Sequence, residues 1–275
     1  MTTNVRRVQL TQLRILKDFM KFCGDNKLRY FIGGGALIGV LRHKGFIPWD
    51  DDIDIAMPRP DYDKFISLQN KFPNGYSLTN HDMDKNWQFN FSQFVDDTSE
   101  IIVHMNEEPR HCKVWIDIFP MDGTPNNPLL RWLHIKHIMW YRYLIQIPNL
   151  RTQVDTHKVG RPWYEKLIIK CLHYLPIGNL INVDKELNNM ERSLTKYDYD
   201  KSLYVGDMLG KYREKEIVPK SYWGTGVMLP FEDIDVPCPS NYDALLTHIY
   251  GNYMQMPPVD QRVSHDIEII KLRGE

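Results

Sequence analysis

The chain has 275 residues, of which 43% are hydrophobic and 25% charged, and its formal net charge is -1, from 34 Lys+Arg against 35 Asp+Glu. This length buries a substantial core, and the even charge argues against a nucleic-acid-binding protein or a binder of acidic polymers. The four cysteines, Cys23, Cys112, Cys171 and Cys238, form no Cys-x-x-Cys pair and read as reduced thiols. No basic-then-apolar leader and no run of about 20 apolar residues is present, which predicts a cytoplasmic protein.

The first element is an amphipathic helix over residues 5–28, with Val8, Leu13, Ile15, Leu16, Phe19, Met20 and Phe22 near the helical period and Gly24 as its stop. A short strand, Tyr30-Phe31-Ile32, then runs into Gly33-Gly34-Gly35. A second helix is expected from about Ala36 to Arg42. Glycines let backbone approach a ligand, and the free N–H groups of a helix start favour phosphate. It is neither a Walker loop nor a dinucleotide fingerprint.

The next stretch, Ile47-Pro48-Trp49-Asp50-Asp51-Asp52-Ile53-Asp54-Ile55, reads as a strand. Alternation puts Asp50, Asp52 and Asp54 on one edge and Ile53 and Ile55 on the other. Carboxylates in such a row repel unless they hold a hard divalent cation, Mg²⁺ first and Mn²⁺ second. A solvated acidic loop or a structural Ca²⁺ loop is the bland alternative. A phosphate cradle followed by an acidic strand fits phosphoryl or nucleotidyl transfer, with Arg42 positioning phosphate and Trp49 shaping the pocket.

Pro58 and Pro60 break the chain, and Asp61 is expected to cap a helix through Leu68. Strands are expected at 76–79, 88–95 and 101–105, the last two joined by a turn at Asp96-Asp97-Thr98. His104, His111 and Cys112 match no common zinc spacing. Lys113-Val-Trp-Ile-Asp-Ile-Phe-Pro-Met-Asp-Gly follows, an apolar run interrupted by Asp117 and closed by an expected turn at Asp122-Gly123. A carboxylate within such a run needs a cation or donors. Asp117 is the candidate third acid, with a backbone-bonded strand-end acid as its alternative.

These residues carry a family resemblance. Gly33 to Gly39, Arg42 to Ile55, and Ile116-Asp117-Ile118-Phe119-Pro120-Met121-Asp122-Gly123 resemble the motifs of the LicD family, relatives of the fukutin group. Gly35 stands where that family usually has Thr or Ser, removing a hydroxyl. The resemblance implies an α+β, nucleotidyltransferase-like fold with a mixed sheet. It implies transfer of phosphocholine from CDP-choline, or of a related phospho-alcohol such as ribitol, glycerol or ethanolamine from its CDP donor. The acceptor would be a hydroxyl of a cell-surface glycan such as a lipopolysaccharide, teichoic acid or capsule precursor, lipid-linked in some cases and then met at the inner membrane face. A non-catalytic choline- or glycan-binding module is the rival from another class.

Residues 128–145 and 163–175 read as helices with Arg and Lys beside Trp and Tyr. Packing in a subdomain and contact with a membrane surface both suit that pattern. Later come strand-like segments, a second Asp-x-Asp at Asp233 and Asp235 that reads as surface acid, and a helix capped by Asn241 and stopped at Gly251. Tyr253 and Pro257-Pro258 resemble the family's closing motif, and Arg262 and His265 are candidates to reach donor phosphates. The expected organisation is a catalytic core over 1–127, a helical insertion over 128–200 and a segment over 201–275 that completes the core.

Overall fold

The computed structural model describes residues 3–81, 83–84, 87, 89–104, 109–148, 181–262, 264 and 266–274. Its architecture is α+β, and one strand organises it. That strand, β7 (Trp115–Gly123), pairs antiparallel with β4 (Ser92–Asp96) and parallel with β2 (Asp54–Pro58). Its last two residues pair with β8 (Tyr204–Gly206). The sheet is completed by β1 (Phe31–Ile32) outside β2, β3 (Tyr76–Thr79) outside β4 and β9 (Val218–Pro219) outside β8. Apart from it stand a three-stranded sheet, β5 (Glu100–His104) between β6 (Arg110–Cys112) and β12 (Asp266–Lys271), and a hairpin of β10 (Val227–Phe231) and β11 (Ile234–Cys238).

Helix α1 (Thr3–Asn26) covers one face of the sheet, where Phe19 meets Phe65 and Phe94 at ring-centroid distances of 5.4 and 5.9 Å. Gly24 lies inside its last turn. The actual stop is Lys27, which takes a left-handed φ of 54° while the Leu28 N–H closes on the Cys23 carbonyl. Helix α3 (Arg59–Ser67) starts at Arg59, two residues before the expected cap. Asp61 does not cap it: its carboxylate accepts from the Arg29 N–H at 3.0 Å and Arg29 Nε at 2.7 Å. The longer-range partner wins because a guanidinium offers the stronger, charge-assisted bonds.

The expected turn at Asp122-Gly123 is also absent, since both residues continue β7 against β8. Asp122 is buried and paired with Arg59, which donates from Nε at 2.6 Å and Nη2 at 2.9 Å. Glu191 takes the remaining side of that guanidinium at 2.7 Å.

Helix α4 (Pro128–Gln146) packs Ile135, Ile138, Met139 and Ile145 against Leu187, Met190 and Leu194 of α5 (Val183–Leu194), with Met208 and Ile217. Its other face leaves Leu129, Leu130, Trp132, Leu133 and Trp140 exposed among the described residues. The expected helix at 163–175, and Cys171 with it, lies outside the described residues. Among them no helix is long and apolar enough to cross a membrane.

Two short helices complete the chain, α6 (Lys220–Trp223) and α7 (Tyr242–Tyr250). Asn241 caps α7 through the Ala244 N–H, and Gly251 ends it at φ 72°.

Candidate active site

The site forms where α2 (Gly34–His43) begins beside the start of β2. The helix starts at Gly34, two residues earlier than expected, with Gly33 as its N-cap and the Leu37 N–H bonded to the Gly33 carbonyl at 2.9 Å. Gly34 has a φ of +50°, and a Cβ there would overlap the Asp54 carboxylate. At Gly35 a Cβ would stand 2.9 Å from Asp50 Oδ2. The glycines therefore let carboxylates sit directly over the helix N-terminus, and the Gly35 N–H donates to Asp54 Oδ2 at 3.3 Å. The positive end of α2 faces these acids.

The acidic strand is shorter than expected. Regular pairing begins at Asp54, while a turn closed by Asp50 N–H to Ile47 carbonyl (3.0 Å) precedes it. Side chains of α1 fix that approach: Gln9 Nε2 donates to the Asp50 carbonyl and Gln12 Nε2 to the Asp51 carbonyl, both at 2.7 Å. These bonds occupy carbonyls that a ladder would otherwise need. Ile53 and Ile55 are fully buried beneath, as the alternation requires.

Asp54 stands opposite Asp117 in the parallel pair of β2 and β7. One carboxylate oxygen from each of Asp52, Asp54 and Asp117 lies within 4.8 Å of the others. Asp117 is 8% exposed, and both its oxygens accept bonds, from Gln93 Nε2 at 2.9 Å and Trp115 Nε1 at 3.1 Å. Gln93 is its partner across the β4–β7 ladder. Strand pairing thus sets the spacing, and two neutral donors fix the rotamer.

The electrostatics show what this arrangement lacks when alone. Burial, then the charges of Asp52, Asp117 and Asp50, hold Asp54 well above the usual carboxylate range. Burial pushes Asp117 up to about 7 against its two donors, and burial with Asp52 and Asp51 takes Asp50 to about 8. Three hard oxygen donors at this spacing, destabilised as anions, fit a divalent cation such as Mg²⁺ or Mn²⁺. Asp52, Asp54 and Asp117 would hold it. Asp50 adjoins the group through Asp52, to which it is hydrogen-bonded.

The other expected residues fall on one side. Arg42, at the far end of α2, donates Nη1 to the carbonyls of Tyr253 (3.2 Å) and Gln255 (3.3 Å). Burial and the neighbouring Arg262 lower its pKa, with Asp50 opposing. Arg262 lies over the Trp49 ring at 5.1 Å, and His43 meets that ring edge-on at 6.2 Å. Arg42, Trp49 and Arg262 are therefore neighbours at the rim near Asp50, while His265 lies outside the described residues.

Asp233 is a surface acid bound by Lys17 at 2.6 Å, and His104 and His111 face Glu268 and Glu100 across strands. Sequence reasoning missed Gln93 and did not place Trp115; only the register of β4 against β7 sets the first opposite Asp117. It also missed Tyr250 at the end of α7, whose hydroxyl is raised by burial and by Asp54, Tyr212, Glu216 and Asp50.

A parallel pair of strands that brings acids together beside a glycine-started helix defines a nucleotidyltransferase-type site. Residues 27–149 match the family described as LicD/FKTN/FKRP, nucleotidyltransferase domain. The chain is 30% identical over 269 residues, 96% of each chain, to the Haemophilus influenzae protein named lipopolysaccharide cholinephosphotransferase LicD. It is 25% identical to an uncharacterised Rickettsia typhi protein over 64% of its own length and 54% of that protein's. The chain belongs to the LicD family and is a transferase.

Proposed function

We propose that the chain transfers phosphocholine from CDP-choline to a hydroxyl of a cell-surface glycan of the lipopolysaccharide type, in a reaction that requires Mg²⁺ or Mn²⁺. The observation that carries this reading is the convergence of Asp52, Asp54 and Asp117 within 4.8 Å beside the first N–H groups of α2. The relative's name supplies the choline and the lipopolysaccharide.

A bound divalent cation would supply charge neutralisation at the diphosphate and at the departing phosphate. The chain's own residues do the rest. Asp52, Asp54 and Asp117 would hold that cation, and the Gln93 and Trp115 bonds keep Asp117 from turning away. Gly34 and Gly35 leave room for the Asp54 and Asp50 carboxylates over the N-terminus of α2, whose positive end adds to the field that draws phosphate to the site. Arg42 and Arg262 place two further positive charges at the rim, toward the nucleotide side.

In the transfer, the glycan hydroxyl oxygen forms a bond to the choline-bearing phosphorus. The bond from that phosphorus to the bridging oxygen breaks, and CMP leaves with the electron pair. The hydroxyl proton passes to a site carboxylate, the role we assign to Asp117. The exposed apolar face of α4, with Trp132 and Trp140, suits peripheral approach to a membrane carrying a lipid-linked acceptor.

The test is CMP release from a panel of CDP-choline, CDP-ethanolamine, CDP-glycerol and CDP-ribitol, with a lipopolysaccharide acceptor and Mg²⁺, then with EDTA. The expected result is EDTA-sensitive release that is fastest with CDP-choline. Preference for another CDP-alcohol overturns the donor assignment, and EDTA-insensitive release overturns the metal.

A further inference from the structure

The face of β7 that carries Asp117 also carries Phe119, two residues on. In the antiparallel register with β4, Ser92 stands opposite Ile118 and Gln93 opposite Asp117, so the next position out, Phe91, comes opposite Phe119. The two rings meet with centroids 4.6 Å apart and planes at 35°. Phe89 and Trp87 extend the group, at 5.3 Å each from Phe91. Trp87 is buried behind, Phe91 and Phe119 are half-buried, and Phe89 is 53% exposed. The wall is therefore partly exposed, with the Arg110 guanidinium over the Trp87 ring at 5.6 Å and no charged group over Phe91 or Phe119 among the described residues.

We infer that Phe91 and Phe119 form the subsite for the quaternary ammonium of the donor alcohol, and so select choline over smaller or neutral alcohols. This rests on the proposed phosphocholine transfer. Distance favours this occupant. Two strand residues advance ~7 Å, which suits a cation two carbons and one oxygen beyond a phosphorus held at Asp52, Asp54 and Asp117. The cytosine of the same donor lies farther away, beyond a second phosphate and a ribose. Chemistry favours it too: a trimethylammonium offers no hydrogen bond and is attracted to ring faces. A cytosine edge against two phenyl rings would leave its donors and acceptors unpaired. The excess of carboxylates nearby adds long-range attraction for a cation.

The experiment compares wild type with Phe119→Leu and Phe91→Leu, which keep apolar bulk and remove the ring, and with Phe119→Tyr, which keeps it. Two quantities are read: kcat/KM for CDP-choline relative to CDP-ethanolamine, and calorimetric affinity for CDP-choline relative to CMP. The leucine variants are expected to lose about five- to tenfold in both ratios, with Phe119→Tyr restoring them. Equal weakening of CMP and CDP-choline overturns the inference in favour of a base-stacking wall. Unchanged ratios in folded leucine variants overturn it outright. If wild type prefers another CDP-alcohol, the proposed function itself fails, and the subsite fails with it. If wild type prefers CDP-choline while the ratios stay flat, only the subsite fails.

Discussion

Asp54 and Asp117 are direct partners in a parallel ladder, side by side on adjacent strands with no base between them. Like charges placed opposite one another in a sheet destabilise it. The pair is maintained by the buried Ile53, Ile55, Ile116 and Ile118 on the opposite face. This arrangement is a stability cost, which the proposed cation would offset.

Asp54→Asn is accordingly expected to raise the melting temperature of metal-free protein while lowering turnover roughly 10²- to 10³-fold. Mg²⁺ should raise the melting temperature of wild type and leave that of the variant nearly unmoved. Differential scanning fluorimetry with and without Mg²⁺ checks both. A variant that melts lower than wild type without metal would contradict the repulsion argument.

Gly34→Ala tests the close approach at the start of α2. Its methyl would overlap the Asp54 carboxylate, and its φ of +50° is strained for alanine. Activity should fall by about 10²-fold, since a displacement of around 1 Å at a catalytic group has that effect. Gly24→Ala is the contrast. It lies in the helix with nothing within 4 Å of a new Cβ, and should stabilise by roughly 0.4–1 kcal/mol in urea denaturation.

The Arg59–Asp122 pair joins α3 to the end of β7, with both side chains buried. Arg59→Met strands the buried Asp122 and is expected to cost about 3–5 kcal/mol, while Asp122→Asn, which leaves Arg59 its Glu191 partner, is expected to cost less. The double variant should recover part of that loss. Urea midpoints of the four proteins supply the cycle, and simple additivity would show that the two residues act separately.

His134 gives the protein an acid sensitivity. It is buried on α4 with its Nε2 unpartnered among the described residues, its ring edge-on to Tyr197 at 4.8 Å. Burial, with Lys196 and His137 nearby, lowers its pKa to about 4. The unfolded chain binds the proton first, so stability present at neutral pH is lost as pH falls from about 6.5 toward 4. His134→Phe should remove roughly 2–3 kcal/mol of that acid-dependent loss. The measurement is the difference in urea midpoint between wild type and variant at pH 7 and pH 4.5.

What could be read from sequence was local. The glycine turn before the acid run, the burial of Ile53 and Ile55, and the isolation of Asp117 in an apolar run all follow from alternation along a chain. Asn241 and Gly251 bracket α7 for the same reason. Features that depend on distant partners were opaque. Asp61 and Asp122 each look like a cap or a turn until Arg29 and Arg59 are placed beside them. Gln93 is an ordinary strand residue until register sets it against Asp117. The acid strand was overextended because its carbonyls are taken by Gln9 and Gln12 of α1, about 40 residues earlier.

Strand β7 divides labour between its faces: Ile116 and Ile118 look into the core, while Asp117 and Phe119 look out. Substitutions at the outward positions leave the inward packing untouched. On the proposed subsite, a single strand is retuned for a different alcohol by exchanging one or two alternate residues while the fold is inherited unchanged.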